Sequence, residues 1–278
     1  MRNTFSRIAL ALAIAAASTT ANAAADQNAS QTAGGGTLTA TTTEYTFGGN
    51  PNFGPWTVES LEYRWNLPVD TPAVTLLDRN DVDRPIAAHS RALYLDDYHT
   101  FSNRFYVYAQ AGAAQGSVLP SSIAYLEGDL KLGPRGAFVL AAGGAAMRNA
   151  DGSTTRYASL GPTIYDGRLA FVLRFMPSNT NGIGTAATQL GLQYNEPGKN
   201  LVALLLVQGT QPNVLVGLPA NAAGFQHVSQ ETVTFKHWIN ANAGFVLGGT
   251  LGNFTDASGA SNSYRERGIS FGVFLAPR

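Results

Sequence analysis

Residues 92–112 read Ala-Leu-Tyr-Leu-Asp-Asp-Tyr-His-Thr-Phe-Ser-Asn-Arg-Phe-Tyr-Val-Tyr-Ala-Gln-Ala-Gly, two alternating runs joined by a short polar link. Side chains of a strand alternate between its faces. In the second run Phe105, Val107, Ala109 and Ala111 therefore share one face, and Tyr106, Tyr108 and Gln110 share the other. In the first run Leu93 and Leu95 oppose Tyr94, Asp96 and Tyr98. Such a pair reads as a β-hairpin with one apolar and one mixed face. A soluble sandwich with one wet face and a membrane barrel with a polar lumen both fit that code.

Flanking sequence decides between them. In Trp56 to Leu67, Leu61, Tyr63, Trp65 and Leu67 lie opposite Ser60, Glu62 and Arg64. In the next clear repeat Ala124, Leu126, Leu130 and Leu132 oppose Tyr125, Glu127, Asp129 and Lys131. Ionic residues along a whole strand face are costly in a dry core and acceptable in a wet lumen. Further along, Leu169, Phe171, Leu173 and Phe175 oppose Arg174, and Asp166-Gly167 just before them is a strong tight-turn signal. Leu190, Leu192 and Tyr194 oppose Gln189 and Gln193, and Val233, Phe235 and Ile239 oppose Lys236. The last run places Ile269, Phe271, Val273 and Leu275 on one face, with Glu266 on the other.

Counting the runs gives an all-β, transmembrane antiparallel barrel of about 14 strands, with 12 as the alternative. Short links around Pro68, His99, Pro134, Asp166, Pro197 and Asn240 alternate with longer ones around Asn50, Asp81, Ser117, Asp151, Asn181, Asn213 and Ser258. That is the expected alternation of periplasmic turns and outer loops. Gly209 to Gln230 reads as a long irregular outer connection, whose Val214-Leu215-Val216 is an extra strand or a lumenal plug. Gly143-Gly144 marks a bend or a close packing in the seventh strand.

Residues 1–23 carry Arg2 and Arg7, an apolar run from Ile8 to Ala17, and Ala21-Asn22-Ala23, which is the pattern of a cleaved secretory signal peptide. The run is too short to span a bilayer. Residues 24–36 are a flexible leader without periodicity, and 37–278 form the barrel domain. Losing Arg2 and Arg7 takes the 18 basic residues to 16 against 18 acidic ones, so there is no basic field for nucleic acid. The chain contains no cysteine, which excludes disulfides, thiolate metal sites and a lipoprotein anchor. The expected location is the outer membrane of a Gram-negative bacterium, and the expected partners are its lipids and the barrel-assembly machinery.

The order Tyr94, Leu95, Asp96, Tyr98, a short link, then Tyr106-x-Tyr108-x-x-Ala111-Gly112 resembles the YaiO-type outer-membrane β-barrel family. With strand order and aromatic placement, the resemblance extends from about Trp56 to the C-terminus. It implies a surface or envelope barrel. Two departures stand out: barrels of this kind end on an aromatic residue, whereas here Gly268 to Phe274 is the nearest equivalent, and the family is richer in lumenal Arg and Tyr.

Function is expected to reside in the lumen. Its candidate lining comprises Glu62, Arg64, Tyr94, Asp96, Tyr98, Tyr106, Tyr108 and Tyr125, followed by Glu127, Asp129, Lys131, Arg174, Gln189, Gln193, Lys236 and Glu266. Mixed signs favour a cross-strand network over a single-sign selectivity ring. Tyr63, Trp65, Tyr194 and Trp238 read as girdle aromatics. His89, His99, His227 and His237 lack metal-ligand spacing, and no G-x-S-x-G motif occurs, so a catalytic, metal or cofactor role is not expected. The leading expectation is a narrow channel for a small solute or saccharide, with an unidentified solute. A structural or surface-interaction barrel with a closed lumen is the alternative, and a lipid-modifying barrel enzyme comes third.

Overall fold

The structure, a computed structural model, describes residues 4–6, 35–49, 54–82, 87–133, 136–216, 224–256 and 263–276. Apart from Thr4–Ser6 and residues 35 and 36, the signal-peptide and leader ranges lie outside them, as do most residues of the links around Asn50 and Ser258. Fourteen strands form the wall: β2 (Gly36–Gly48), β3 (Trp56–Trp65), β4 (Ala73–Val82), β5 (Ala87–Thr100), β6 (Phe105–Gly116), β7 (Ser122–Leu132), β8 (Phe138–Arg148), β9 (Thr154–Asp166), β10 (Leu169–Thr180), β11 (Ile183–Glu196), β12 (Asn200–Val216), β13 (Gly224–Asn240), β14 (Ala243–Asp256) and β15 (Tyr264–Leu275). Each pairs antiparallel with its chain neighbour, and β15 returns to β2, so the sheet closes without a free edge. The short β1 (Thr4–Ser6) pairs with Val214–Val216 at the far end of β12 and takes no part in the closed wall.

Closure is what a hydrocarbon environment demands, because each backbone N–H and C=O must find a partner inside the protein. Followed strand by strand around the wall, the registers accumulate a stagger of about 14 residues, which tilts the strands by roughly 35°. With strands about 4.8 Å apart, the backbone cylinder is about 26 Å across. The outward parity carries the exposed large apolar residues, among them Leu126, Leu160, Phe171, Leu173, Leu190, Leu251 and Phe271. The inward parity carries the buried residues, so the core of this protein is its lumen.

Several links differ from the sequence reading. Asn181-Gly182 is a two-residue turn with both φ positive (51° and 87°), the type I′ geometry that suits the twist of a hairpin, so no longer loop exists there. The Pro68 link is the longer one, running from Asn66 to Pro72 with Asp70 bridged to His99. The Gly209 to Gln230 stretch is largely strand: Gly209 pairs with Val228 and the ladder continues to Asn213 and Gly224. Thr210-Gln211-Pro212-Asn213 has no apolar alternation to announce a strand, but a ladder is made by backbone and needs none. Val214-Leu215-Val216 is the end of β12, neither a separate strand nor a plug. β8 runs through Gly143-Gly144 in unbroken register, so that pair is close packing and not a bend: a Cβ on Gly143 would lie 2.6 Å from the Leu126 carbonyl oxygen.

The facing of β10 supplies a test. Leu173→Arg is expected to destabilise the refolded barrel by about 2 to 4 kcal/mol, since Leu173 lies in the middle of the outward apolar run Leu169 to Pro177. Denaturant titration of protein inserted in lipid vesicles measures this, and a cost below 1 kcal/mol would place Leu173 away from lipid.

Candidate functional site

All sixteen candidate lining residues fall on the inward parity, but they do not form one uniform lining. The wall from β5 to β9 is bulky. Tyr98 and Tyr108 are directly paired across β5 and β6, with ring centroids 4.7 Å apart and exposures of 1% and 0%. The rings continue from Tyr108 to Tyr125 (5.8 Å) and on to Tyr157 (5.9 Å, stacked), and Tyr106 lies 6.1 Å from Tyr98. Small inward residues on neighbouring strands make room for them. At Gly112 a Cβ would sit 2.2 Å from the Tyr94 ring, so only glycine leaves Tyr94 its place.

Charges are embedded in this wall. The Arg64 guanidinium donates to Glu62 and to Asp96, both at 3.2 Å, joining β3 to β5. Glu127 accepts from the Tyr125 hydroxyl at 2.5 Å and lies 3.9 Å from Arg174. Arg174 in turn donates to the carbonyl oxygens of Gly161, Pro162 and Leu173 and to Thr163 Oγ1. Gly161 lets β9 and β10 approach closely beside it, since a Cβ there would clash at 2.0 Å with the Leu173 carbonyl oxygen. Asp129 faces a residual cavity of about 20 Å³ beside Tyr106, Thr163 and Arg174, room for one water. Lys131 stands over the Tyr106 ring at 5.1 Å. Gln189 and Gln193 are buried on β11, and Glu266 on β15 accepts from Gln230 at 3.0 Å.

The opposite wall is small and hydroxylated. Inward positions Thr39, Thr41, Thr43, Ser60, Thr232, Thr234, Thr250 and Ser270 on β2, β3 and β13 to β15 are half-exposed. Exposure on the inward face means contact with lumenal water. Aromatic clusters bound this strip at both ends. At the end that carries the links after β2, β4 and β14, Phe47 packs on Trp56 (4.2 Å), Tyr264 stacks on Phe254 (4.5 Å), and Arg79 lies 4.2 Å above the Trp56 ring. At the turn end Trp238 packs edge-on against Phe274 (4.6 Å), with Lys236 4.7 Å from Phe274.

Two residues beside the Trp56 cluster escaped sequence reading. Arg79 and Asp81 form a bidentate pair at 2.7 and 2.9 Å and are both buried, whereas the expected longer link around Asp81 would put that residue in a loop. The period-2 alternation of Arg79 and Asp81 with Thr75 and Leu77 was the available signal. Trp238 corrects a second expectation: it shares the inward parity of Lys236 and is no girdle residue, whereas Trp65 and Tyr194 are exposed on the outside. The histidines bond to Asp78, Asp70, Thr210 and Asn200, and no serine is among those partners.

Breaking the Glu127 and Arg174 pair offers a second test. Arg174→Leu alone is expected to cost about 3 to 5 kcal/mol because it strands a buried carboxylate. The Arg174→Leu, Glu127→Leu double variant should cost less than Arg174→Leu alone, measured by the same unfolding titration. An additive double penalty would mean the two groups are energetically independent.

Residues 36–214 match the profile of a family described as YaiO membrane beta barrel domain. No curated protein sequence matches the chain. Among solved structures, the barrel superimposes on a CymD monoaromatic hydrocarbon channel with a TM-score of 0.55 at 12% identity, covering 89% of this chain and 90% of that one. A bacterial polysaccharide outer membrane secretin gives 0.53 at 9% identity, with 87% and 98% covered. The COG4313 outer membrane channel from Pseudomonas putida F1 gives 0.52 at 12% identity, with 90% and 97% covered. At such identities the likeness is one of fold.

Proposed function

Since this chain belongs to the YaiO membrane β-barrel family, we propose that it is a narrow outer-membrane channel for small, uncharged, hydroxyl-bearing solutes of the saccharide class, reaching the outer membrane after its signal peptide is cleaved. The observation that carries this reading is the half-exposed strip of threonine and serine hydroxyls on β2, β3 and β13 to β15, facing a closely packed tyrosine wall. Hydroxyls exchange hydrogen bonds with water and with sugars at little net cost, so a neutral polar solute crosses such a strip without a deep trap. Lumenal charges are already paired within the wall at Arg64, Glu127 and Arg79, and among the described residues no ring of one sign stands to select ions. The aromatic clusters at both ends restrict passage to narrow solutes.

Planar-bilayer recording together with swelling of sugar-loaded liposomes tests the proposal. Wild type should show small, weakly ion-selective conductance and admit monosaccharides faster than charged solutes of equal size. The Tyr106→Ala, Tyr108→Ala variant should widen the lumen and raise conductance several-fold, as removal of two buried rings opens the wall. A silent wild type that never swells would assign the barrel to a structural or surface-interaction role with a closed lumen.

A further inference from the structure

The outer surface is not uniformly fit for lipid. On β10 five successive outward residues, Leu169, Phe171, Leu173, Phe175 and Pro177, are apolar. At about 3.3 Å per residue and a tilt of roughly 35°, they span about 21 Å along the membrane normal, close to a full apolar band. β4 and β5 offer far less. Outward from β4 come only Val74 and Leu76 before Asp78, and from β5 only Leu95 and Leu93 before Arg91. Below them the outward positions are Asp97, His99 and Asp70, with Asp97 accepting the Thr71 N–H and His99 Nδ1 meeting Asp70 Oδ1. Two apolar residues span about 5 Å, so hydrocarbon on this face would touch charge at one border or the other.

The upper border is a continuous row. Thr42, Glu59, Asp78 and Arg91 are paired in register across β2, β3, β4 and β5. Asp78 is already held by Arg91 Nε at 2.8 Å and His89 Nε2 at 2.9 Å. Glu59 has no hydrogen-bond or ion-pair partner among the described residues, and the Arg91 side chain is 75% exposed beyond its single contact. The row itself lines one side of a groove of about 590 Å³ whose apolar side is formed by Phe271, Val273, Ala40, Leu61 and Leu76.

We propose that the β3 to β5 face is covered by a second copy of this chain, in a dimer with its two-fold axis along the membrane normal beside β4. Such an axis sets β3 of each copy against β5 of the other, so Glu59 meets Arg91 twice, the self-complementarity that an isologous interface requires. Glu59 thereby gains a partner in the exposed guanidinium of Arg91, which keeps its contact with Asp78. The apolar stripe of Leu76, Leu93 and Leu95 packs against its counterpart instead of bearing a bilayer that it is too short to match. This inference is independent of any solute.

The absence of cysteine makes the test direct. Leu76→Cys, near the axis, and Leu173→Cys, on the distant β10 face, are oxidised with copper phenanthroline in isolated outer membranes. Each variant is first shown to be folded by its shift on unheated gels. The expected result is a disulfide-linked dimer for Leu76→Cys, at least tenfold above the Leu173→Cys yield. In that background Glu59→Arg and Arg91→Glu should each lower the yield, and the double reversal should restore it. Equal yields for the two cysteine positions overturn the dimer. A Leu76→Cys yield that ignores both single reversals overturns the pairing of Glu59 with Arg91.

Discussion

Backbone hydrogen bonding in hydrocarbon is the constraint from which the rest follows. An open sheet of these strands would leave two rows of unpaired N–H and C=O groups facing lipid, each costing several kcal/mol. The β15 to β2 pairing removes those rows, and once it forms, the parity of every strand is settled at a stroke. A one-residue slip of β10 would send Arg174 outward and Leu173 inward, and a slip of β7 would do the same to Glu127 and Leu126. The alternating code is therefore a register device as much as a solubility pattern.

Closure also creates an interior about 26 Å wide at the backbone, too wide to fill with aliphatic side chains from fourteen strands alone. This chain fills one side and leaves the other thin. Tyrosines do the filling because a long ring reaches far from its strand while its hydroxyl keeps a polar end. Glycine and alanine on β6 and β8 give those rings space, and the threonines of β2 and β13 keep the facing wall low. The asymmetry is thus written in side-chain volume, strand by strand.

That explains what could be read from the linear sequence and what could not. Facing was legible because it depends only on parity, so Tyr106, Glu127 and Gln189 could be assigned inward from their immediate neighbours. Strand ends were not, because a ladder persists for as long as its partner does. β12 and β13 support each other through Pro212 and Asn213, where neither strand shows a pattern alone. Partners were equally hidden: Arg64 and Asp96 are 32 positions apart, and only the register brings them to 3.2 Å. Trp238 was misassigned because its aromatic character outweighed its position two residues after inward Lys236.

Inside and outside treat charge by one rule applied to different solvents. In the lumen each buried guanidinium among the described residues meets a carboxylate from its own chain: Arg64 with Asp96, Arg79 with Asp81, Arg174 with Glu127. These pairs can be closed locally because neighbouring inward residues sit within reach around a curved wall. On the convex outer face side chains diverge, so Glu59 and Arg91, two strands apart, cannot close on each other across Asp78. Arg91 is held by Asp78, whereas Glu59, at the edge of a shortened apolar stripe, has no partner among the described residues and is the charge that the proposed second copy would satisfy. The curvature that lets the lumen settle its charges is what leaves this outer patch open to a partner.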